Sequence, residues 1–285
     1  SQDLSNKRRD EIFAKSANHK FKVNSEMIRE CVASEEHPRP VPFVIGLDVT
    51  GSMGVLAETL AKRGLGNVME KILASDNIHD AQLMFAAIGD GYCDDHPLQV
   101  TQFESDNRML EQLTALHLEG GGGGNDYESY SALYSFVLNH VHSSHTKLGY
   151  KGMIITIGDE PTANYNTDGE LGRCGIRTHD LPVREGVKHQ IDTRQVVSQL
   201  LEHYDIFHIL VNRNFQNAMP SWHQLLGKRV LQMDREDDHA TVIPELIVAL
   251  YELQNMQSPG QAKEILGRYS SRVRNIIVAA VDGLE

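Results

Sequence analysis

Asp48, Thr50 and Ser52 stand on alternating residues of one short turn, Asp48-Val49-Thr50-Gly51-Ser52, and offer one carboxylate and two hydroxyls to a common point. All three are hard oxygen donors, the kind that suits Mg²⁺ and its octahedral demand. No cysteine or histidine lies in the turn, which disfavours zinc. Two more turns carry carboxylates. Gly124-Asn125-Asp126-Tyr127-Glu128-Ser129 opens a tyrosine-rich segment, and Gly158-Asp159-Glu160-Pro161 follows an apolar run. Taken alone, the first turn is equally an Asx turn and helix N-cap, and Glu128 equally a first-turn carboxylate favoured by a helix dipole. Asp159, placed behind a second strand-like run, tips the balance towards a metal site.

Such turns need strands to hold them. Val41 to Leu47 (VPFVIGL), Ala81 to Ile88 (AQLMFAAI), Gly152 to Ile157 (GMIITI) and Asp205 to Val211 (DIFHILV) read as strands buried on both faces of a parallel sheet. Residues 97–103 predict an edge strand and 229–233 a short one. Leu56, Leu60, Leu65, Val68, Met69 and Ile72 keep helical spacing over 55–74, although Gly64 and Gly66 weaken the middle. Asp106 is placed to cap a helix running through Leu116. Tyr127, Tyr130, Tyr134, Val137 and Val141 mark one face of another. Further helices are expected at 192–203, 218–226 and 240–255, and a last one over 261–281 after Ser258-Pro259-Gly260. Residues 28–34 fit either a short edge strand or a helix capped by Ser25. The five glycines at 120–124 are loop.

Strand and helix in alternation define a doubly wound, mostly parallel α/β sheet flanked by helices. Ligands of such sheets sit at the carboxyl ends of the strands, near the point where strand order reverses. The chain then divides into an N-terminal extension (1–40), a main domain (41–257) with a polar insertion at about 164–190, and a helical C-terminal extension (258–285).

Composition excludes several classes. The 39 acidic against 27 basic residues give a net charge of −12, which removes the phosphate attraction a nucleic-acid binder relies on. Cys31, Cys93 and Cys174 are odd in number and far apart, which predicts a reducing compartment, the cytoplasm, rather than a disulfide framework. No apolar run approaches the roughly 20 residues that span a bilayer, and Ser1 to Asp10 lacks the apolar stretch of a signal peptide. The glycine run has no P-loop lysine. His140, His142 and His145 gather at a helix end, where positive side chains suit the dipole without any metal. Asp90, Asp94 and Asp95 read as a solvated loop cluster. Arg173, Arg177, Arg184 and Lys188 make the insertion a mobile polar loop or, alternatively, a surface for an anion or a partner.

The Asp48-x-Thr50-x-Ser52 turn, followed by Met53-Gly54, resembles the metal-ion-dependent adhesion site of von Willebrand factor A (VWA) domains. Asp159 matches that family's third loop. The second loop departs from it, with Gly and Asn where many members have Thr, and Glu128 is the candidate ligand there, supported by Asn125 and Asp126. The resemblance covers roughly residues 41 to 255 and is nearer to small stand-alone VWA proteins of bacteria and their phages than to secreted adhesion proteins. It implies a Rossmann-like fold, a bound Mg²⁺ (or Mn²⁺ or Ca²⁺), and binding of a protein partner whose acidic residue completes the ion's shell. An anion at Glu128 would make that ion less greedy for an outside carboxylate. The function expected is therefore a non-catalytic adaptor or scaffold, with neither nucleic acid nor membrane as partner. Two alternatives stand beside it. A Mg²⁺-dependent phosphohydrolase would use Asp48 as nucleophile, but haloacid dehalogenase-type enzymes place a second Asp where Thr50 stands. A self-assembling structural subunit would use the two terminal extensions as homo-oligomer arms.

Overall fold

The computed structural model describes residues 18–106, 108–118, 127–211, 215–234 and 237–280. Asn125, Asp126 and the glycine run at 120–124 lie outside the described residues. The main sheet contains β2 (Val41–Asp48), β3 (Ala81–Ile88), β4 (Leu98–Val100), β6 (Gly152–Gly158), β9 (Tyr204–Val211) and β10 (Val230–Met233), in the order β10-β9-β6-β2-β3-β4. All neighbours pair in parallel except β4, which runs antiparallel on one edge.

The long strands form where continuous apolar runs can bury alternate residues on opposite faces. In β2, Phe43, Ile45 and Leu47 enter one core while Val44 enters the other. The first core is closed by α2 (Leu65–Leu73), α9 (His239–Gln254) and α11 (Ser271–Ala280), through residues such as Val68, Ile72, Ile243, Leu246 and Ile277. The second is closed by α4 (Tyr130–His140), α7 (Thr193–Leu201) and α8 (Phe215–Leu226), through Leu133, Phe136, Val196 and Trp222.

Several expected elements take a different form. The helix expected over 55–74 is α1 (Val55–Thr59), a π-turn over Leu60–Gly64, and α2. The interruption ends at Gly64, one of the two weakening glycines, while Gly66 is accommodated inside α2, and Leu60, Val68 and Ile72 stay buried across it. The tyrosine-rich helix begins at Tyr130, so Tyr127 precedes it. The last helix is split into α10 (Gln261–Gly267) and α11, where the Ser270 hydroxyl accepts from the amide of Val273 and starts a new helix. Of the two readings for residues 28–34, the strand holds: β1 (Arg29–Cys31) pairs in parallel with β5 (Val141–Ser143). Phe21, Val23 and Met27 are buried nearby, and the Arg29 guanidinium donates to the carbonyl oxygens of Val100 and Lys20 at 3.0 and 2.9 Å.

The insertion is folded rather than a free polar loop. β7 (Tyr165–Thr167) and β8 (Gln190–Asp192) pair antiparallel around α6 (Asp168–Arg173), whose N-terminus is closed by a capping box between Thr167 and Glu170. Leu171, Ile176, Leu181 and Ile191, scattered through a polar sequence, supply its buried anchors. Its arginines are engaged within the protein: Arg177 donates to the carbonyl oxygen of Asn139 at 2.9 Å, and the Arg184 guanidinium lies 4.0 Å from the Tyr165 ring centre. The histidine cluster is also dispersed. His140 donates from Nδ1 to the Met27 carbonyl oxygen and accepts at Nε2 from the amide of Arg177. His145 donates to the carbonyl oxygen of His203, while His142 is exposed. Burial lowers the pKa of His140 and takes that of His145 down to about 4, so these are neutral core groups and not the helix-end cations expected.

Candidate metal site

The chain enters the sheet at β2, moves to β3 and β4, then crosses back to β6 on the other side of β2. Strand order therefore reverses at the crevice between the carboxyl ends of β2 and β6. Asp48 is the last residue of β2, and Asp159 follows the last residue of β6. The switch point thus sets the two carboxylates side by side.

The first turn folds around Asp48. Its Oδ1 accepts from the Thr50 amide at 2.9 Å and from the Thr50 hydroxyl at 2.6 Å. Thr50 Oγ1 lies 3.3 Å from Ser52 Oγ, and the Ser52 hydroxyl donates to Asp159 Oδ1 at 2.8 Å. Gly54 ends the turn at φ 48°, in the left-handed half of the map where a side chain is strained. Asp48, Thr50, Ser52 and Asp159 are therefore brought together as the sequence suggested.

The second loop is fastened to both neighbours. The Glu128 amide donates to the Pro161 carbonyl oxygen at 3.2 Å, and Glu128 bridges Thr162 in parallel. The Ser129 amide donates to the Gly89 carbonyl oxygen, and its hydroxyl accepts from the Gly91 amide. Glu128 is only 6% exposed, yet its Oε2 has no hydrogen-bond partner among the described residues. A buried carboxylate oxygen without a donor is costly unless something cationic meets it.

The electrostatics agree with that geometry. Burial raises the Asp48 pKa to about 7, against the hydrogen bonds of Thr50 and Tyr130, with the charge of Asp159 adding to the rise. Burial pushes Glu128 up to about 9, helped by the charges of Asp48, Asp90, Asp94 and Glu160. Crowded carboxylates made entirely of oxygen donors are the setting a divalent cation relieves, so the residues present fit the group.

Two residues here were not read from the sequence as part of the site, although Tyr130 was placed on a helix face. Tyr130 donates its hydroxyl to Asp48 Oδ2 at 2.5 Å. It reaches there because Gly158 has no side chain; a Cβ at that position would lie 1.9 Å from the Tyr130 hydroxyl oxygen. Trp222, stacked on His208 with ring centres 3.5 Å apart, donates its indole N–H to the carbonyl oxygen of Glu160. The repeated tyrosines were a usable signal, because a buried tyrosine must find a partner for its hydroxyl. Asp90 and Asp94 differ from the expected solvated cluster: both are buried. Their carboxylates accept from the amides of Tyr92 and Asp90 and close the turn locally.

The mostly parallel, doubly wound sheet, with its antiparallel edge and the oxygen-bearing turns at its switch point, makes this a Rossmann-like α/β fold. No protein-family model matches the sequence, and no curated protein matches it. Solved structures similar to the chain include proximal thread matrix protein 1 from the mussel byssus, at 11% identity and a TM-score of 0.48, over 75% of this chain and 48% of that one. That protein is also known with a zinc-occupied MIDAS motif, where the TM-score is 0.45. The pilus adhesin SpaC from Lactobacillus rhamnosus GG is 14% identical at a TM-score of 0.48, over 84% of this chain and 31% of that one. The vWF domain of the type V pili tip protein Mfa5 from Porphyromonas gingivalis is 10% identical at a TM-score of 0.48, over 77% of this chain and 97% of that one. The chain thus spans about half of the byssus protein and under a third of the adhesin.

Proposed function

We propose that this chain is a divalent-cation-dependent protein-binding domain, an adaptor or scaffold without catalysis. Asp48, Thr50, Ser52 and Asp159 would hold the ion, with Glu128 as the second-loop ligand. Mg²⁺ is the first choice for an all-oxygen donor set of this size, with Mn²⁺ and Ca²⁺ next. When bound, the ion would neutralise the buried carboxylates and offer a coordination position to a partner.

One observation carries this reading: the Ser52 hydroxyl meets Asp159 Oδ1 at 2.8 Å across the switch point, so four oxygen-bearing side chains from two loops converge on one place. Binding is favoured over nucleophilic chemistry because Asp48 is 0% exposed and both its oxygens accept hydrogen bonds. A cytoplasmic setting is supported by Cys31, Cys93 and Cys174, none of which is joined in a disulfide among the described residues. No described helix is long and apolar enough to cross a membrane.

The test is thermal unfolding of the wild type and of Asp48→Ala, each in chelator and in added Mg²⁺. An ion at about 100 times its Kd stabilises the folded state by about 2.7 kcal/mol. A midpoint shift in the wild type that is absent from Asp48→Ala is the expected result. No shift in either protein would leave the turn as a structural cap and sink the reading.

A further inference from the structure

The Asp48 carboxylate is pinned at both ends. Thr50 bonds twice to Oδ1, through its amide at 2.9 Å and its hydroxyl at 2.6 Å, and Tyr130 bonds to Oδ2 at 2.5 Å. A carboxylate has about four lone-pair positions, shared equally between its oxygens. Among the described residues, Thr50 fills both on Oδ1 and Tyr130 fills one on Oδ2, so a single position on Oδ2 is left.

Tyr130 is itself held so that its hydroxyl stays on Asp48. Its ring, 0% exposed at the start of α4, meets Trp222 edge-on at 5.0 Å between ring centres and His208 at 5.3 Å. His208 stacks on Trp222, and its Nδ1 lies 2.9 Å from Thr156 Oγ1 on β6. Gly158 borders the hydroxyl directly, and any side chain there would strike the oxygen. Three elements, α8, β9 and β6, thus aim one phenol at Asp48. A carboxylate that ligates a metal is oriented by outer hydrogen-bond partners of this kind.

Ca²⁺ takes about six to eight oxygens and readily uses both oxygens of one carboxylate. Mg²⁺ demands near-ideal octahedral geometry, which the narrow bite of a chelating carboxylate violates. We propose that Tyr130 is a positioning residue of the metal site: by holding Asp48 Oδ2 it limits this carboxylate to one lone pair and so favours Mg²⁺ over Ca²⁺. This rests on the proposed cation site and names the residue that sets its selectivity. With the phenol gone, only Thr50 holds the carboxylate, and the group can turn to meet a larger ion with both oxygens.

The test titrates magnesium chloride and calcium chloride separately into metal-free protein at constant ionic strength. The thermal midpoint is followed, and it gives an apparent Kd for each ion. The wild type is expected to bind Mg²⁺ more tightly than Ca²⁺. Tyr130→Phe keeps the ring and removes the hydroxyl. The preference for Mg²⁺ should then fall about tenfold, the lower end for loss of a group that orients a ligand. Gly158→Ala keeps the hydroxyl but displaces it from Asp48 and should lower the preference in the same direction, which keeps the inference testable where Tyr130→Phe fails to fold. Tyr134→Phe is the control. That tyrosine lies one turn further along α4, is equally buried, and meets Thr156 Oγ1 at 3.0 Å rather than Asp48. Its loss should lower stability and leave the preference unchanged, as a merely structural role for Tyr130 would. Three results would overturn the inference: Ca²⁺ bound by the wild type as tightly as Mg²⁺, an unchanged preference in Tyr130→Phe, or an equal fall in Tyr134→Phe. A wild type whose midpoint moves with neither ion would instead sink the cation site itself.

Discussion

The indole nitrogen of Trp222 donates to the carbonyl oxygen of Glu160 at 3.0 Å, one residue beyond Asp159. Its neighbour Ser221 accepts from the Thr162 amide at 3.2 Å, so α8 grips the third turn through two consecutive residues. Trp222 is the only tryptophan in the chain, and its ring packs edge-on to Tyr130 at 5.0 Å. Its emission should therefore report events at the site. Titration with Mg²⁺ is expected to change its intensity in the wild type, and Asp159→Asn should abolish the change. A flat titration in a protein that still shows a Mg²⁺ midpoint shift would mean that α8 does not sense the ion.

Gly158 and Tyr130 make a second, steric prediction. A methyl group at Gly158 would collide with the Tyr130 hydroxyl and push it off Asp48. Gly158→Ala should destabilise the protein by about 1–3 kcal/mol, the usual cost of overpacking a core. Denaturant unfolding would measure it. Tyr130→Phe in the Gly158→Ala background removes the clashing oxygen and should recover part of the loss.

Glu128 and Asp48 predict how the metal-free protein responds to pH. Both have folded-state pKa values above their ordinary ones, about 9 and about 7, because burial disfavours their charged forms. A carboxyl with a raised pKa stabilises the fold when protonated, and that contribution is lost as pH rises through the folded value. In chelator, the unfolding midpoint should therefore fall between pH 6.5 and pH 8.5. Buried histidines do not obscure this, since His145, with its pKa near 4, exerts its effect below pH 6.5. Ion binding needs the carboxylates charged, so the Mg²⁺-dependent shift should grow over the same interval. A midpoint that rises with pH in chelator would contradict the burial assigned to these groups.

Glu128→Gln separates the residue's two effects. The amide keeps the shape of the side chain but cannot ionise, so the fold no longer has to hold neutral a carboxyl whose pKa burial and the charges of Asp48, Asp90 and Asp94 push up to about 9. In chelator at pH 8 the variant should be at least as stable as the wild type. In Mg²⁺ it should show a smaller shift if Glu128 is the second-loop ligand. An undiminished shift would remove Glu128 from the ligand set.

Much of this protein could be read directly from its residues. Each long apolar run became a buried parallel strand, because a strand covered on both faces needs no polar alternation. Asp48 and Asp159 could be placed at carboxyl ends because each directly follows such a run. Other features depended on distant residues meeting in space. The insertion looked polar because its buried anchors Leu171, Ile176, Leu181 and Ile191 are too widely spaced to show a period. Asp90 and Asp94 looked solvated because the groups that enclose their turn, Ser129 against Gly89 and Gly91 and Arg173 on the Tyr92 and Asp94 carbonyls, come from distant parts of the chain. The sequence by itself determined the sheet, the donor types and their order along the chain, since these follow from local composition and spacing. Only the tertiary structure decided that Tyr130 bonds to Asp48, that Trp222 holds the third turn and that Glu128 is buried with one oxygen lacking a donor among the described residues. Those facts depend on side chains from different strands and helices sharing one crevice, and linear spacing does not encode that proximity.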